Sequence, residues 1–230
     1  MLTMRAGARA GIPIAIGVIP FGLVAGVAAT EAGMGVGGAL AWSVAVFAGA
    51  SQLAAIELLD SGASALVAAG AALLINLRFL MYSASLAPYL ADQPLRQRLG
   101  AAYVLTDQAF GISLAAYVKA PRSTGRERLH YYLGVAALMW TTWQTTTVIG
   151  AVVGSTVPES VPLDFSIPLV FLALLIPSVT DRPTVVAAAV AGVGVVLAGE
   201  LGAGNAALVI GVTTGIVAGA AVDLATGPRS

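Results

Sequence analysis

The feature that most constrains this chain is a succession of eight apolar segments, separated by short polar loops, that takes up nearly its whole length. They fall at about 12–32, 36–59, 62–90, 99–119, 129–153, 165–179, 183–200 and 203–222. Each except the sixth is long enough to cross a hydrocarbon core of roughly 30 Å at about 1.5 Å per residue. Inside a bilayer such segments satisfy their own backbone as helices. The expected fold class is therefore all-α, a polytopic transmembrane helix bundle. About eight spans are expected, or seven if the short sixth segment is re-entrant, in a single domain over 1–230. The charge content agrees: 10% of residues are charged, against about 25% in soluble domains. The 27 glycines and 11 prolines often fall inside the apolar runs, where membrane helices tolerate them. No internal repeat is evident in the sequence.

Several function classes drop out. A net charge of zero offers no basic face for nucleic acid. There are no cysteines, and His130 is the single histidine, so thiolate and multi-histidine metal sites are not expected. No phosphate loop, H-E-x-x-H or G-x-S-x-G motif is present. Neither a cofactor nor an enzymatic activity is expected. Arg5 and Arg9 ahead of an apolar run imitate a signal peptide, but the run is long, holds two prolines and is followed by equally apolar segments. The Lys and Arg distribution favours a cytoplasmic N-terminus, which puts eight basic residues inside and leaves only Arg96 and Arg98 as exceptions outside.

Within the apolar body a few polar residues need a reason. Arg78 lies near the middle of the third segment, where an arginine costs roughly 2.5–3.5 kcal/mol on insertion scales and must face protein or a water-filled cavity. Helical spacing puts Arg78, Tyr82, Ser85 and Tyr89 on one face, with Asn76 and Ser83 beside it. Arg78 either locks two helices as an ion pair or anchors an anionic group such as a carboxylate. Asp107, well inside the fourth segment, is its natural partner. The same carboxylate could instead bind an ammonium or carry a coupling proton. Phe47-Ala48-Gly49-Ala50-Ser51-Gln52 reads as a helix break within the membrane, with close packing through small residues as the alternative. Pro20 is expected to kink the first helix. Trp140, Gln144 and Thr147 share a face of the fifth segment, and Gly211, Gly215 and Gly219 make a packing face on the last.

Taken in order, Gly11-Ile12-Pro13-Ile14 through Pro20-Phe21-Gly22, Phe47 to Gln52, Asn76-Leu77-Arg78 with Tyr82, Ser85, Leu86 and Pro88, and Leu105-Thr106-Asp107 resemble the AzlC family. Asp164-Phe165 with Pro168 and Phe171 also fits. The resemblance is densest over about 11–110 and looser to about 180. It implies export of branched-chain amino acids across the bacterial inner membrane, together with a small AzlD-like membrane protein as partner. One departure is Gln108, where the family often carries an acid after the position of Asp107.

Such a substrate needs a cation for its carboxylate, an acceptor for its ammonium and an apolar pocket. Arg78 or the Gly49–Ser51 break can supply the first. Asp107, Gln52 or Asn76 can supply the second, with Tyr82 on the same face as Arg78. Asp107 is the expected proton carrier for coupled export. The alternatives are a non-transporting scaffold and a passive channel.

Overall fold

The computed structural model describes residues 2–156, 179, 181–204 and 206–226, and among these all regular structure is helical. Contacts divide the chain into two compact units, Met1–Leu163 and Asp164–Ser230. Nearly all of the sixth apolar segment, with Asp164, Phe165, Pro168 and Phe171, lies outside the described residues.

The first unit is organised around two long helices, α1 (Met4–Glu31) and α8 (Gly125–Thr156). Thr3 caps α1 by accepting from the Ala6 N–H at 3.2 Å. Thr124 and Glu127 form a reciprocal cap at the start of α8: the Glu127 carboxylate accepts from the Thr124 N–H at 2.9 Å, and the Thr124 hydroxyl accepts from the Glu127 N–H at 3.3 Å. The Thr124 backbone N–H holds the exposed Glu127 carboxyl below its ordinary pKa. His130 lies inside α8. Helix α1 runs unbroken through Pro13 and Pro20.

A seam of glycines brings α1 and α8 into backbone contact. A Cβ on Gly7 would overlap the Tyr131 carbonyl, on Gly26 the Thr147 carbonyl, on Gly134 the Met4 carbonyl and on Gly150 the Leu23 carbonyl. Gly154 meets Val27 and Thr30. Residue numbers rise together on both helices, so α1 and α8 run parallel. Call the end at Met4 and Gly125 the near end, and the end at Glu31 and Thr156 the far end. Gly150→Val would force α1 off α8, because a backbone carbonyl cannot yield as a side chain can. The expected cost is about 3 kcal/mol or more, seen as a large fall in melting temperature of the detergent-solubilised protein. Gly70→Ala, where a Cβ meets nothing within 4 Å, is expected to leave that temperature unchanged.

Between these two helices lie two helical hairpins and one through-going helix. Helix α2 (Gly35–Ala45) starts at the far end and descends, so that Ser43 meets Trp143 and Gln144. The chain breaks over residues 46–48, and α3 (Gly49–Asp60) follows. Helices α4 (Ala65–Asn76) and α5 (Arg78–Leu86), with the 3-10 turn Ala87–Leu90, form one nearly continuous helix over Ala65–Leu90, interrupted only at Leu77, which keeps right-handed helical angles. Its lower end is fixed at the near end, where the Arg128 guanidinium sits 5.3 Å over the Tyr89 ring. At about 1.5 Å per residue its 26 residues reach about 39 Å, so Ala65 lies at the far end. The short link after Asp60 keeps α3 there too. Helices α2 and α3 therefore enter and leave from the same end.

The second hairpin mirrors the first. Helix α6 (Leu95–Tyr103) rises from the near end, where Gln93, Pro94 and Gln97 line one cavity with Arg126 and His130. The chain breaks over 104–106, and α7 (Asp107–Lys119) descends beside α5, pairing Phe110 with Tyr82 and Tyr117 with Tyr89. The Tyr117 hydroxyl donates to the Arg128 carbonyl at 2.8 Å, which returns α7 to the near end. The unit α1–α2–α3 thus recurs, turned over, as α4/α5–α6–α7: a long helix followed by a hairpin that dips to mid-depth. The sequence carries this inverted repeat without displaying it, because only the break and the lengths recur.

The described helices do not confirm the expected count of about eight spans. Four of the described helices are long and apolar enough to cross a membrane: Met4–Glu31, Ala65–Leu90, Arg182–Glu200 and Ala206–Thr226. The apolar segments at about 36–59 and 99–119 do not cross as single helices; each breaks midway and doubles back. The same arrangement gathers Arg96 and Arg98 with the other basic residues. Arg5, Arg9, Arg96, Arg98, Lys119, Arg122, Arg126 and Arg128 all lie at the near end, while Glu31, Glu57 and Asp60 lie at the far end.

In the second unit, α9 (Arg182–Glu200) is capped by Asp181, which accepts from the Thr184 N–H at 2.9 Å. It packs against α10 (Ala206–Thr226) through the expected glycine face: Gly211 and Gly215 lie against Ala191, and Gly219 lies against Ala187.

Candidate functional site

The two hairpin tips meet at mid-depth, and most of the residues singled out from the sequence gather there. Arg78 begins α5 and Asp107 begins α7. Their side chains pair at 3.2 Å and keep 32% and 38% exposure. The Tyr82 hydroxyl, one turn below Arg78, donates to the same Asp107 oxygen at 2.8 Å. The Tyr82 ring stacks on Phe110 with centroids 4.3 Å apart, and the Arg78 guanidinium lies 5.3 Å over the Phe79 ring. Asp107 also occupies the first turn of α7, where a negative charge complements the helix dipole. Thr106 caps that helix from inside the membrane-depth break, accepting from the Ala109 N–H at 3.1 Å.

Two residues before Arg78, the Asn76 side-chain amide donates to the Ser51 hydroxyl at 3.0 Å, joining α4 to the first turn of α3. Ser51 in turn donates to the Ala48 carbonyl at 2.9 Å, so it closes the break it follows. Asn76, Leu77 and Arg78 therefore link the two hairpins: Ser51 lies on one side of the interruption and Asp107 on the other. Three buried polar atoms here have no partner among the described residues: Gln52 Oε1, Asn76 Oδ1 and Arg78 Nε. Two of these are amide carbonyl oxygens, which can accept from a cation, and the third is a guanidinium nitrogen, which can donate to an anion.

Gly49 has a different role from Ser51 and Gln52. A Cβ there would run into the Trp143 ring, so glycine lets α8 approach the tip of the first hairpin. Trp143 was not legible as a site residue. Its Nε1 donates to the Ser43 hydroxyl at 2.9 Å and its ring meets Phe21 edge-on at 5.5 Å. Tyr103 was missed as well. Its hydroxyl donates to the Val44 carbonyl at 2.7 Å and accepts from Trp140 Nε1 at 3.4 Å. Its ring lies 6.4 Å from that of Phe47, so one tyrosine ties the tip of the second hairpin to the tip of the first. Val44 is near the end of α2, where carbonyls lose their helical partners; a tyrosine ending one arm of an apolar hairpin was the available signal. Of the expected polar face, Ser85 turns back to its own helix by donating to the Met81 carbonyl, and Tyr89 belongs to the near-end cluster.

Comparison with known proteins places the chain in a family. The chain matches the AzlC protein family over residues 13–157, a stretch that takes in both hairpins and α8. It is 30% identical over 182 residues to the inner membrane protein YgaZ of Escherichia coli strain K12, covering 76% of this chain and 73% of that one. It is 34% identical over 203 residues to an uncharacterized membrane protein of Archaeoglobus fulgidus, covering 86% of this chain and 84% of that one. No solved structure matches. With more than half its length inside the family's match, and with relatives that are membrane proteins over most of their own length, the chain belongs to the AzlC family of membrane proteins.

Proposed function

We propose that this protein is a secondary exporter of valine, leucine, isoleucine or similar amino acids in the bacterial inner membrane, working with a small AzlD-like membrane protein. The observation that carries the proposal is the Arg78–Asp107 pair at the meeting point of two hairpins that enter from opposite ends. Sites between inverted repeats, built on broken helices near the bilayer midplane, are how many secondary transporters hold substrate. The near end faces the cytoplasm, because all eight basic side chains of the first unit outside mid-depth lie there. Among the described residues, helices α1, α4/α5, α8, α9 and α10 cross the membrane within one transporter domain, and the hairpins account for the apolar segments at about 36–59 and 99–119.

The chemistry follows from competition for Arg78. A substrate carboxylate takes the guanidinium, and the substrate ammonium is received by the free oxygens of Asn76 and Gln52. A coupling proton competes with the substrate ammonium for the Asp107 carboxylate, which the substrate has parted from Arg78. Substrate and proton are then exchanged at one residue pair. Ser51 and Tyr82 hold Asn76 and Asp107 in place. Each hairpin shields the site from its own side, so moving one opens it to that side alone.

The test is efflux of preloaded labelled valine and leucine from cells expressing the chain with and without the partner. Saturable efflux against a gradient, reduced about tenfold or more by Arg78→Ala at constant protein level, is the expected result. Flux that never exceeds the gradient identifies a passive channel. Absence of efflux with correctly inserted protein leaves the scaffold reading in place.

A further inference from the structure

A cavity of about 250 Å³ lies between α5 and α6, away from the ion pair. Leu86 and Leu90 form one wall; Leu95, Leu99 and Leu105 form the other; and Arg98 stands at its rim. At its floor the buried Tyr132 donates its hydroxyl to the Ala101 carbonyl at 2.7 Å. No carboxylate lines the cavity, and neither Arg98 nor its neighbour Arg96 is paired with an acid among the described residues. Leu95 and Leu99 are 66% and 61% exposed although they line it, so the cavity opens sideways along α6. It lies in the half of the unit nearest the near end, where the basic residues collect.

We propose that this cavity binds an acidic phospholipid of the leaflet at the near end, with one acyl chain between α5 and α6 and its phosphate on Arg98. The walls match a hydrocarbon chain: apart from Ser83, Arg98 and Tyr132 they are leucine and alanine, with no carboxylate to pair with the ammonium that an amino acid would bring. The volume is below the roughly 300–1,000 Å³ of pockets that enclose a whole ligand, as suits a site that takes only part of one chain and stays open to the bilayer. A guanidinium without an internal counter-charge, at the headgroup level of its leaflet, is complementary to a lipid phosphate. The occupant would wedge the rising arm of the second hairpin against the through-going helix. The proposal rests on the membrane placement of the first unit and not on transport.

The test is lipid retention. The full chain is purified, stripped with detergent and titrated with phosphatidylglycerol, phosphatidylcholine or inorganic phosphate, with bound lipid read by native mass spectrometry. About fivefold or stronger preference for phosphatidylglycerol over phosphatidylcholine is expected from one arginine at the headgroup. Arg98→Gln should abolish that preference while leaving the fold intact, since the exposed Arg98 side chain has no hydrogen bond or ion pair among the described residues. Ala102→Phe, which fills the cavity, should remove retention of both lipids, whereas Arg122→Gln should change neither. Equal retention of the two lipids by the unaltered chain, or a preference that survives Arg98→Gln, overturns the proposal. Full competition by inorganic phosphate overturns it in favour of a free-anion site.

Discussion

Removing the carboxylate of Asp107 alone is expected to harm the protein more than removing both members of its ion pair. In Asp107→Ala, Arg78 remains near mid-depth with no counter-charge, and Tyr82 loses its acceptor. Breaking a fully buried pair costs about 3–5 kcal/mol. Because both side chains keep about a third of their surface exposed, about 2–3 kcal/mol is the better expectation. The double variant Arg78→Gln with Asp107→Asn removes both charges and keeps amide hydrogen bonds, so its melting temperature should recover most of the loss. Efflux should not recover, since the exchange proposed above needs both charges. The measurement is a thermal melt in detergent beside labelled-valine efflux for all three variants. A double variant that transports as the unaltered chain does would reduce the pair to a helix lock.

Single cysteines at Ser61 and Gln93 should label from opposite faces of the membrane. The chain has no cysteine of its own, so each variant carries one reporter. A simple up-and-down path through eight apolar segments would also separate these two loops, but with the sides reversed: Ser61 with the N-terminus and Gln93 opposite. The hairpin arrangement puts Gln93 on the side of the N-terminus and Ser61 on the other, with a Gly33 cysteine agreeing with Ser61. An impermeant maleimide applied to intact cells should therefore modify positions 33 and 61 nearly completely and position 93 hardly at all. The converse pattern at 61 and 93 would remove the inverted repeat and the site built on it.

The apolar segments, the glycine face of the last helix and the pairing of Arg78 with Asp107 were all legible in the sequence. The two hairpins were not. A run of some two dozen apolar residues has the same hydropathy whether it crosses a bilayer or folds back halfway, and the backbone partners that decide between them come from elsewhere in the fold. Two signals pointed to the answer. Thr106-Asp107 is a helix start, with its cap and first-turn acid, set inside an apolar segment. Arg96 and Arg98 violated the charge rule under the simple path. The break at Phe47–Gln52 was expected, but a break alone does not say that the chain reverses. The tie between tips through Tyr103 and the docking of Trp143 on Gly49 depend on contacts between residues far apart in sequence, which no local pattern records.

The parallel seam between α1 and α8 has a consequence for how the protein is made. The glycines of α1 have no backbone partner until α8, more than ninety residues later in the chain, has been synthesised. During that interval α1 stands in the bilayer with its packing face open, and both hairpins are already present with broken backbones that lipid cannot satisfy. The closing step is the arrival of α8, which seats Trp143 and Tyr132 against the hairpins as it zips onto α1. Assembly of the first unit is thus late and cooperative, and the chain is most exposed to quality-control proteolysis after α7 has been inserted and before α8 has docked.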